Sequence, residues 1–240
     1  IKLFVCKYFL IGLSLLIAVQ ATFGQDRDSV FQWDYLPELP HSKGLAGSFA
    51  GMHNNAILIA GGAFFPEPLF TGGEKAWTDS IFVLETTGEE KYIWRTGYTL
   101  DTPKAYGASI TTIHGLVCIG GSDGERIYND VFLLKWEQGQ VVQQRLPDLP
   151  KATTFLSAAE IHDIIYVAGG QTTLNAGTAV KNFWALDLSQ ANPQWKALQS
   201  WPGPARILPV TGALNGEFYL VSGAELYTTQ QGAVRRNYLR

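Results

Sequence analysis

An all-β fold built from repeated four-stranded sheets is predicted for this 240-residue chain by three observations. A short apolar run ends in two small residues four times, at Ala56 to Gly62, Leu116 to Gly121, Ile164 to Gly170 and Phe218 to Gly223, and the pairs recur every 59, 49 and 53 residues. A second small-and-apolar run begins about twelve residues before each pair, and a third apolar run follows three of them after a polar loop. A period near fifty belongs to a repeat architecture.

Within each unit the elements come in a fixed order. The first runs, Gly47-Ser48-Phe49-Ala50-Gly51, Gly107-Ala108-Ser109-Ile110, Leu156-Ser157-Ala158-Ala159 and Val210-Thr211-Gly212-Ala213, each pair with the run that ends in the glycines. Tight turns at Asn54-Asn55, His114-Gly115, His162-Asp163 and Asn215-Gly216 join them as antiparallel hairpins. Third strands are expected at 79–84, 130–134 and 182–187, each followed by a tryptophan, Trp94, Trp136 or Trp195. A proline-bearing exit closes the unit, as in Leu146-Pro147-Asp148-Leu149-Pro150, Leu36-Pro37-Glu38-Leu39-Pro40 and Trp201-Pro202-Gly203-Pro204.

Strands, a glycine pair, a later aromatic and this period resemble the kelch repeat, and kelch repeats build β-propellers. The glycines Gly61, Gly62, Gly120, Gly121, Gly169, Gly170 and Gly223 are then structural. Where strands of neighbouring blades crowd together, only glycine tolerates both the close backbone and a positive φ. A β-sandwich with accidental turn glycines is the competing architecture, and four in-phase copies speak against it.

Composition suits a β-rich domain with one large core: 46% hydrophobic, 12% aromatic and only 16% charged residues. The net charge of −3 supplies no basic stripe, so nucleic acid is not an expected partner. Residues 1–24 carry Lys2 and Lys7, an uncharged run from Phe9 to Val19 and small residues before Gln25, the layout of a secretory signal peptide. The mature domain would be residues 25–240, exported to a periplasmic or extracellular space. That apolar run falls short of the roughly twenty residues a membrane helix needs, so no stable membrane insertion is expected after cleavage. Cys6 would leave with the signal, and Cys118 reads as a small core residue with no disulfide partner. His53, His114 and His162 fall at hairpin turns and His41 in a loop; turn solvation accounts for them, and neither a metal nor another cofactor is expected. There is no G-x-S-x-G elbow and no phosphate-cradling loop, which leaves acid–base chemistry in the propeller mouth as the catalytic option.

A closer resemblance is carried by Gly44 to Gly51, Gly61-Gly62-Ala63, the loop Gly72 to Asp79, Ala105-Tyr106-Gly107-Ala108-Ser109 and Cys118-Ile119-Gly120-Gly121. These segments resemble the N-acetylneuraminate epimerases, the sialic acid mutarotases, over Trp33 to Gly223, in the order of their cyclically permuted branch. Residues resembling the end of the better-known members come first, and Trp195 to Gly223, resembling their beginning, comes late. The resemblance implies a six-bladed propeller, of which about four blades are expected here, and an isomerase that interconverts the anomers of N-acetylneuraminate outside the cytoplasm. Ring opening and reclosure need one proton taken from the anomeric hydroxyl and one given to the ring oxygen. The partner is then a small sugar of carbohydrate metabolism, and the resemblance leaves a homodimer open.

The chain is expected to be a C-terminally incomplete fragment, with Trp33 to Pro40 resembling the closing strand of a unit whose other strands lie elsewhere. An open arc would expose strand edges and apolar blade faces. The family's G-E-x-x-x-P-G-x-R segment has no match, because Gly223-Ala224-Glu225 is followed by neither the proline nor the arginine. No catalytic residue is therefore assigned, and the fragment alone is expected to be inactive. Candidate substrate-binding residues remain. Arg206, after a Pro-Gly-Pro loop, is either a carboxylate clamp or an ordinary surface arginine. Tyr106 lies at a comparable strand start, and Lys104 stands where an arginine is expected, losing bidentate binding. Glu74 and Lys75 lie in a long loop that is either a lid or a solvated charged loop. Asp79 and Asp130 read as equivalent scaffold caps. The alternative class of function is a non-catalytic kelch propeller that binds glycans or a protein partner.

Overall fold

The structure is a computed structural model that describes residues 35–88, 91–174 and 177–239; the segment read as a signal peptide lies outside them. The first blade comprises β1 (Phe49–His53), β2 (Ala56–Ala60), a loop hairpin of β3 (Ala63–Phe64) and β4 (Ala76–Trp77), then β5 (Ser80–Thr86) and β6 (Tyr92–Thr99). Its sheet runs β1-β2-β5-β6, antiparallel throughout. The second blade is β7 (Ala108–Thr112), β8 (Gly115–Ile119), β9 (Val131–Glu137) and β10 (Gln140–Leu146). The third is β11 (Ser157–Ile161), β12 (Ile164–Ala168), β13 (Phe183–Asp187) and β14 (Trp195–Ala197).

A fourth unit pairs β15 (Val210–Leu214) with β16 (Glu217–Val221). After β16 the chain forms a separate hairpin of β17 (Ala224–Thr228) and β18 (Val234–Tyr238). Its place in the repeat is fixed by hydrogen bonds: Leu239 N–H donates to Gly223 O at 2.9 Å, as Thr78 donates to Gly62 and Tyr128 to Gly121. The hairpin is thus the counterpart of β3–β4, an elaboration of the loop that precedes a third strand.

First strands of successive blades lie side by side, β1 against β7, β7 against β11 and β11 against β15. They belong to separate sheets, and side-chain hydroxyls satisfy part of the facing edge. Ser109 Oγ accepts from Ala50 N–H at 3.1 Å and donates to Ala50 O at 3.0 Å, while Thr111 Oγ1 accepts from Met52 N–H. Thr211 Oγ1 donates to Ala158 O at 2.7 Å at the next-but-one junction.

Successive apolar residues of a strand point to opposite faces, so each strand can bury side chains against both neighbouring blades. Phe49, Leu58, Ile81 and Val83 of the first blade bury against Leu116, Cys118, Phe132 and Leu134 of the second. Val117, Ile119, Val131 and Leu133 of the second bury against Leu156, Ile165, Val167 and Trp184 of the third. At the positions of Phe49 and Leu58 the fourth unit has Val210 and Tyr219, which are 58% and 42% exposed.

Each tryptophan reaches back to the preceding blade or to its exit. Trp195 Nε1 donates to Pro147 O at 2.8 Å, and Trp94 Nε1 donates to Pro37 O at 3.2 Å, which makes the two Leu-Pro-x-Leu-Pro segments equivalent exits. Their placement differs from the expectation: Trp136 lies inside the third strand β9, while Trp94 and Trp195 lie in fourth strands. Trp136 Nε1 still reaches the preceding blade, at Glu85.

Two further sequence readings are corrected. The hairpin turn of the second blade is Ile113-His114, one residue earlier than expected, and neither residue has positive φ, because a β-branched residue resists the left-handed region. Asn54-Asn55, His162-Asp163 and Asn215-Gly216 do adopt the paired left-handed turn. Asp130 is equivalent not to Asp79 but to Ser80 and Asn182, since Gly61, Gly120 and Gly169 donate their N–H groups to Ser80, Asp130 and Asn182. The turn histidines also do more than meet solvent. His53 Nδ1 accepts from Trp136 N–H at 3.0 Å, and His114 Nε2 lies 3.5 Å from Asp163 of the following blade.

The glycine pair has the predicted cause. A Cβ on Gly120 would lie 2.4 Å from Thr153 O of the next blade, and φ is +60°. Gly61 meets Lys104 O, and Gly169 meets Arg206 O, in the same way. Gly139, at φ +75°, has nothing within 4 Å of a built Cβ. Gly139→Ala therefore carries only the left-handed backbone cost of about 1–2 kcal/mol, whereas Gly120→Ala adds a backbone collision. In urea denaturation Gly120→Ala should lose more than about 3 kcal/mol, and equal losses would refute the close-approach account. Burial pushes the Cys118 thiol well above its usual pKa. It should stay inert to a thiol reagent at neutral pH and react only at the rate of unfolding.

Candidate functional site

The segments that lead into the first strands, and the loops that come after the glycine pairs, meet on one face of the blades. Each leading segment is pinned to its own blade, and in the three later blades to the blade before as well. It bridges the loop of its own blade, at Ala46 with Ala63, Ala105 with Ser122, Thr154 with Gln171 and Ile207 with Ala224. Its preceding carbonyl also takes an N–H from the glycine pair of the blade before, Gly62 to Lys104 O, Gly121 to Thr153 O and Gly170 to Arg206 O.

Gly47, Tyr106, Phe155 and Leu208 follow these bridged residues at one equivalent step, each left-handed, with φ of 67°, 62°, 56° and 51°. They form a chain of hydrogen bonds across the blades: Tyr106 N–H to Gly47 O at 2.8 Å, Phe155 N–H to Tyr106 O at 2.7 Å and Leu208 N–H to Phe155 O at 2.8 Å. The Tyr106 ring covers Gly47, where a Cβ would lie 2.4 Å from it, and stands 5.0 Å from the Phe155 ring with a 36° tilt.

Beside Tyr106 opens a cavity of about 470 Å³, lined by Lys43, Leu45, Phe64, Phe65, Lys75 and Tyr106 among others. Lys75 Nζ lies 5.2 Å from the Tyr106 ring centre and 5.8 Å from that of Phe65, held between two aromatic faces. Both lysines are exposed, and no carboxylate is among the lining residues. The arrangement offers positive charge and apolar ring surface together, which suits an anion with a hydrocarbon face.

Of the sequence candidates, Tyr106 and Lys75 come together here. The others do not line this cavity. Glu74, next to Lys75, lines a separate open groove with Pro66, Glu67 and Thr71. Lys104 is buried at 3% exposure, ion-paired with Asp130 and stacked 4.3 Å from the Tyr128 ring centre. Together with Asp101, Asp130 and Arg145 it lines a smaller cleft of about 270 Å³ between the first two blades. Arg206 is not an ordinary surface arginine: it is 9% exposed, donates from Nη1 to Ser222 O at 2.8 Å, lies 5.9 Å from the Trp201 ring centre, and its buried Nε has no hydrogen-bond partner among the described residues. Lys104 and Arg206 occupy the same repeat position, one residue before the bridged alanine or isoleucine, and both serve their own blade. Sequence reasoning missed Lys43, Phe64 and Phe65, and also Phe155 and Leu208. Aligning Ala46-Gly47, Ala105-Tyr106, Thr154-Phe155 and Ile207-Leu208 across the repeats would have marked the last two.

The loop of the second blade is rigidified beside this face. Asp123 Oδ1 accepts from Glu125 and Arg126 N–H, and Oδ2 accepts from Tyr128 Oη at 2.5 Å. Gly124 packs on the Trp77 ring. Among the described residues no three histidine, cysteine or carboxylate side chains gather in a metal-binding group.

No family model matches the chain. An N-acetylneuraminate epimerase of Vibrio cholerae serotype O1 is 32% identical over 147 residues, covering 54% of this chain and 36% of that protein. One of Brucella suis is 30% identical over 128 residues, covering 46% and 32%, and one of Yersinia pestis is 29% identical over 135 residues, covering 49% and 33%. The match thus spans about a third of the length of these relatives. The solved structure of YjhT superposes with a TM-score of 0.70 at 11% identity, over 89% of this chain and 71% of that one. The shared fold is the kelch-type β-propeller.

Burial pulls the Asp123 carboxyl upward, but the hydrogen bonds from Tyr128, Arg126 and Glu125 outweigh it and hold the group below its usual range. A depressed folded pKa adds stability above the unfolded value of about 3.9, and that stability is lost as pH falls through the folded value. The Tm difference between the wild type and Asp123→Asn should be larger at pH 6 than at pH 2.5; a difference that does not shrink on acidification would refute the ionised-carboxylate account.

Proposed function

We propose that this chain, a homologue of the N-acetylneuraminate epimerases with a kelch-type propeller fold, is part of an exported sialic acid mutarotase. The observation that carries the reading is the cavity of Lys43, Lys75 and Tyr106 on the loop face, in a chain whose curated relatives are named for N-acetylneuraminate. N-acetylneuraminate is a pyranose with a carboxylate, and an exposed ammonium on an aromatic shelf matches both parts. The N-terminal charge and apolar pattern of residues 1–24 supports export.

The lysines and Tyr106 act in this reading as binding groups. Mutarotation also needs a base at the anomeric hydroxyl and an acid at the ring oxygen. The lining of the cavity contains no carboxylate or histidine to form such a pair. That observation favours a second reading, a propeller that binds sialosides or other glycans without turning them over.

Proton NMR of freshly released α-N-acetylneuraminate with the complete protein separates the two. Anomer exchange several-fold above the buffer rate supports the mutarotase. Saturation transfer to the sugar with exchange at the buffer rate supports the binding propeller, and neither signal would refute both.

A further inference from the structure

We infer that Tyr106, Phe155 and Leu208 form a stacking ledge for the apolar face of an anionic pyranose, with Lys75 taking the carboxylate at its end. The inference rests on the sialic acid reading above and adds Phe155 and Leu208 as binding residues. The three lie at equivalent steps of successive blades and are linked by the chain of backbone hydrogen bonds that starts at Gly47. Left-handed backbone is disfavoured for a residue with a Cβ by about 1–2 kcal/mol and costs glycine nothing. Gly47 shows that the step accepts glycine, yet the next three blades place large apolar side chains there.

Core packing does not account for them. Leu208 is 46% exposed, and Tyr106 and Phe155 are half-buried. Non-glycine residues held in this region cluster where surrounding structure enforces the strain for a purpose, and an exposed aromatic surface on a rigid backbone loses little side-chain entropy when it binds. The tilted pair of rings 5.0 Å apart offers a continuous apolar surface, and Lys75 Nζ sits 5.2 Å from the Tyr106 centre. Charge at one end and hydrocarbon along the rest selects a ring that is anionic at one carbon and carries axial C–H groups on one face.

The test exploits the backbone. Phe155→Gly removes the ring and at the same time relieves the left-handed strain, so thermal stability should be retained. Binding of N-acetylneuraminate to the purified chain, by calorimetry and saturation-transfer NMR, should weaken about tenfold or more, which corresponds to about 1.4 kcal/mol. Phe155→Trp should restore it. Leu208→Gly, at the exposed end of the ledge, should weaken binding in the same sense and guards against an unfolded Phe155 variant. If the wild type binds and both glycine variants bind within twofold of it, the ledge is overturned while the sialic acid reading stands. If the wild type gives no saturation transfer, both fall together.

Discussion

The contact on which the rest of the structure depends is the meeting of one blade's glycine pair with the backbone that leads into the next blade. At three junctions the first glycine lies where a Cβ would collide with a carbonyl, and the second donates its N–H to that same carbonyl. A repulsion that excludes every side chain and an attraction that fixes the distance act at one point. Blade spacing, burial of Phe49 against Phe132, and the side-chain caps on the innermost strands all depend on that separation. The hydrophobic effect supplies most of the stabilisation but is not directional, so it could not set this register by itself.

The same contact builds the loop face. A leading segment is bridged to its own blade's loop, and in the three later blades also held by the previous blade's glycine, and the residue after it is left-handed in all four units. Glycine accepts this at Gly47, and Tyr106, Phe155 and Leu208 accept it at a cost. Rigid scaffold and strained, solvent-facing side chains are thus two results of one constraint. The cavity of Lys43, Lys75 and Tyr106 inherits its shape from it, because Tyr106 is fixed on its backbone and Lys75 lies over its ring.

Basic side chains one residue upstream are held by contacts within their own blades. Lys104 and Arg206 look like ligand clamps in the sequence, since each comes within two residues of a proline and precedes a first strand. Buried beside Asp130, Lys104 neutralises a half-buried carboxylate, and the aromatic rings of Tyr128 and Phe132 complete its surroundings. Arg206 satisfies the carbonyl of Ser222. Removing either partner of such a pair leaves an uncompensated buried group, which is why a scaffold retains them.

Sequence alone determined the unit and its number of strands, the need for glycine at the junction, and the burial of Cys118, because these depend on short-range periodicity and on steric limits that repeat. It placed Tyr106 and Lys75 in candidate roles, although they are separated by some thirty residues. The tertiary structure alone decided that Lys43 joins them, that Phe155 continues the Tyr106 surface, that Trp136 belongs to a third strand, and that Asp130 matches Ser80 rather than Asp79. Those facts depend on which residue of a variable-length loop reaches a given hydrogen bond. Loop length shifts the sequence count but not the backbone contact, so equivalence between blades is carried by the bond and not by the spacing.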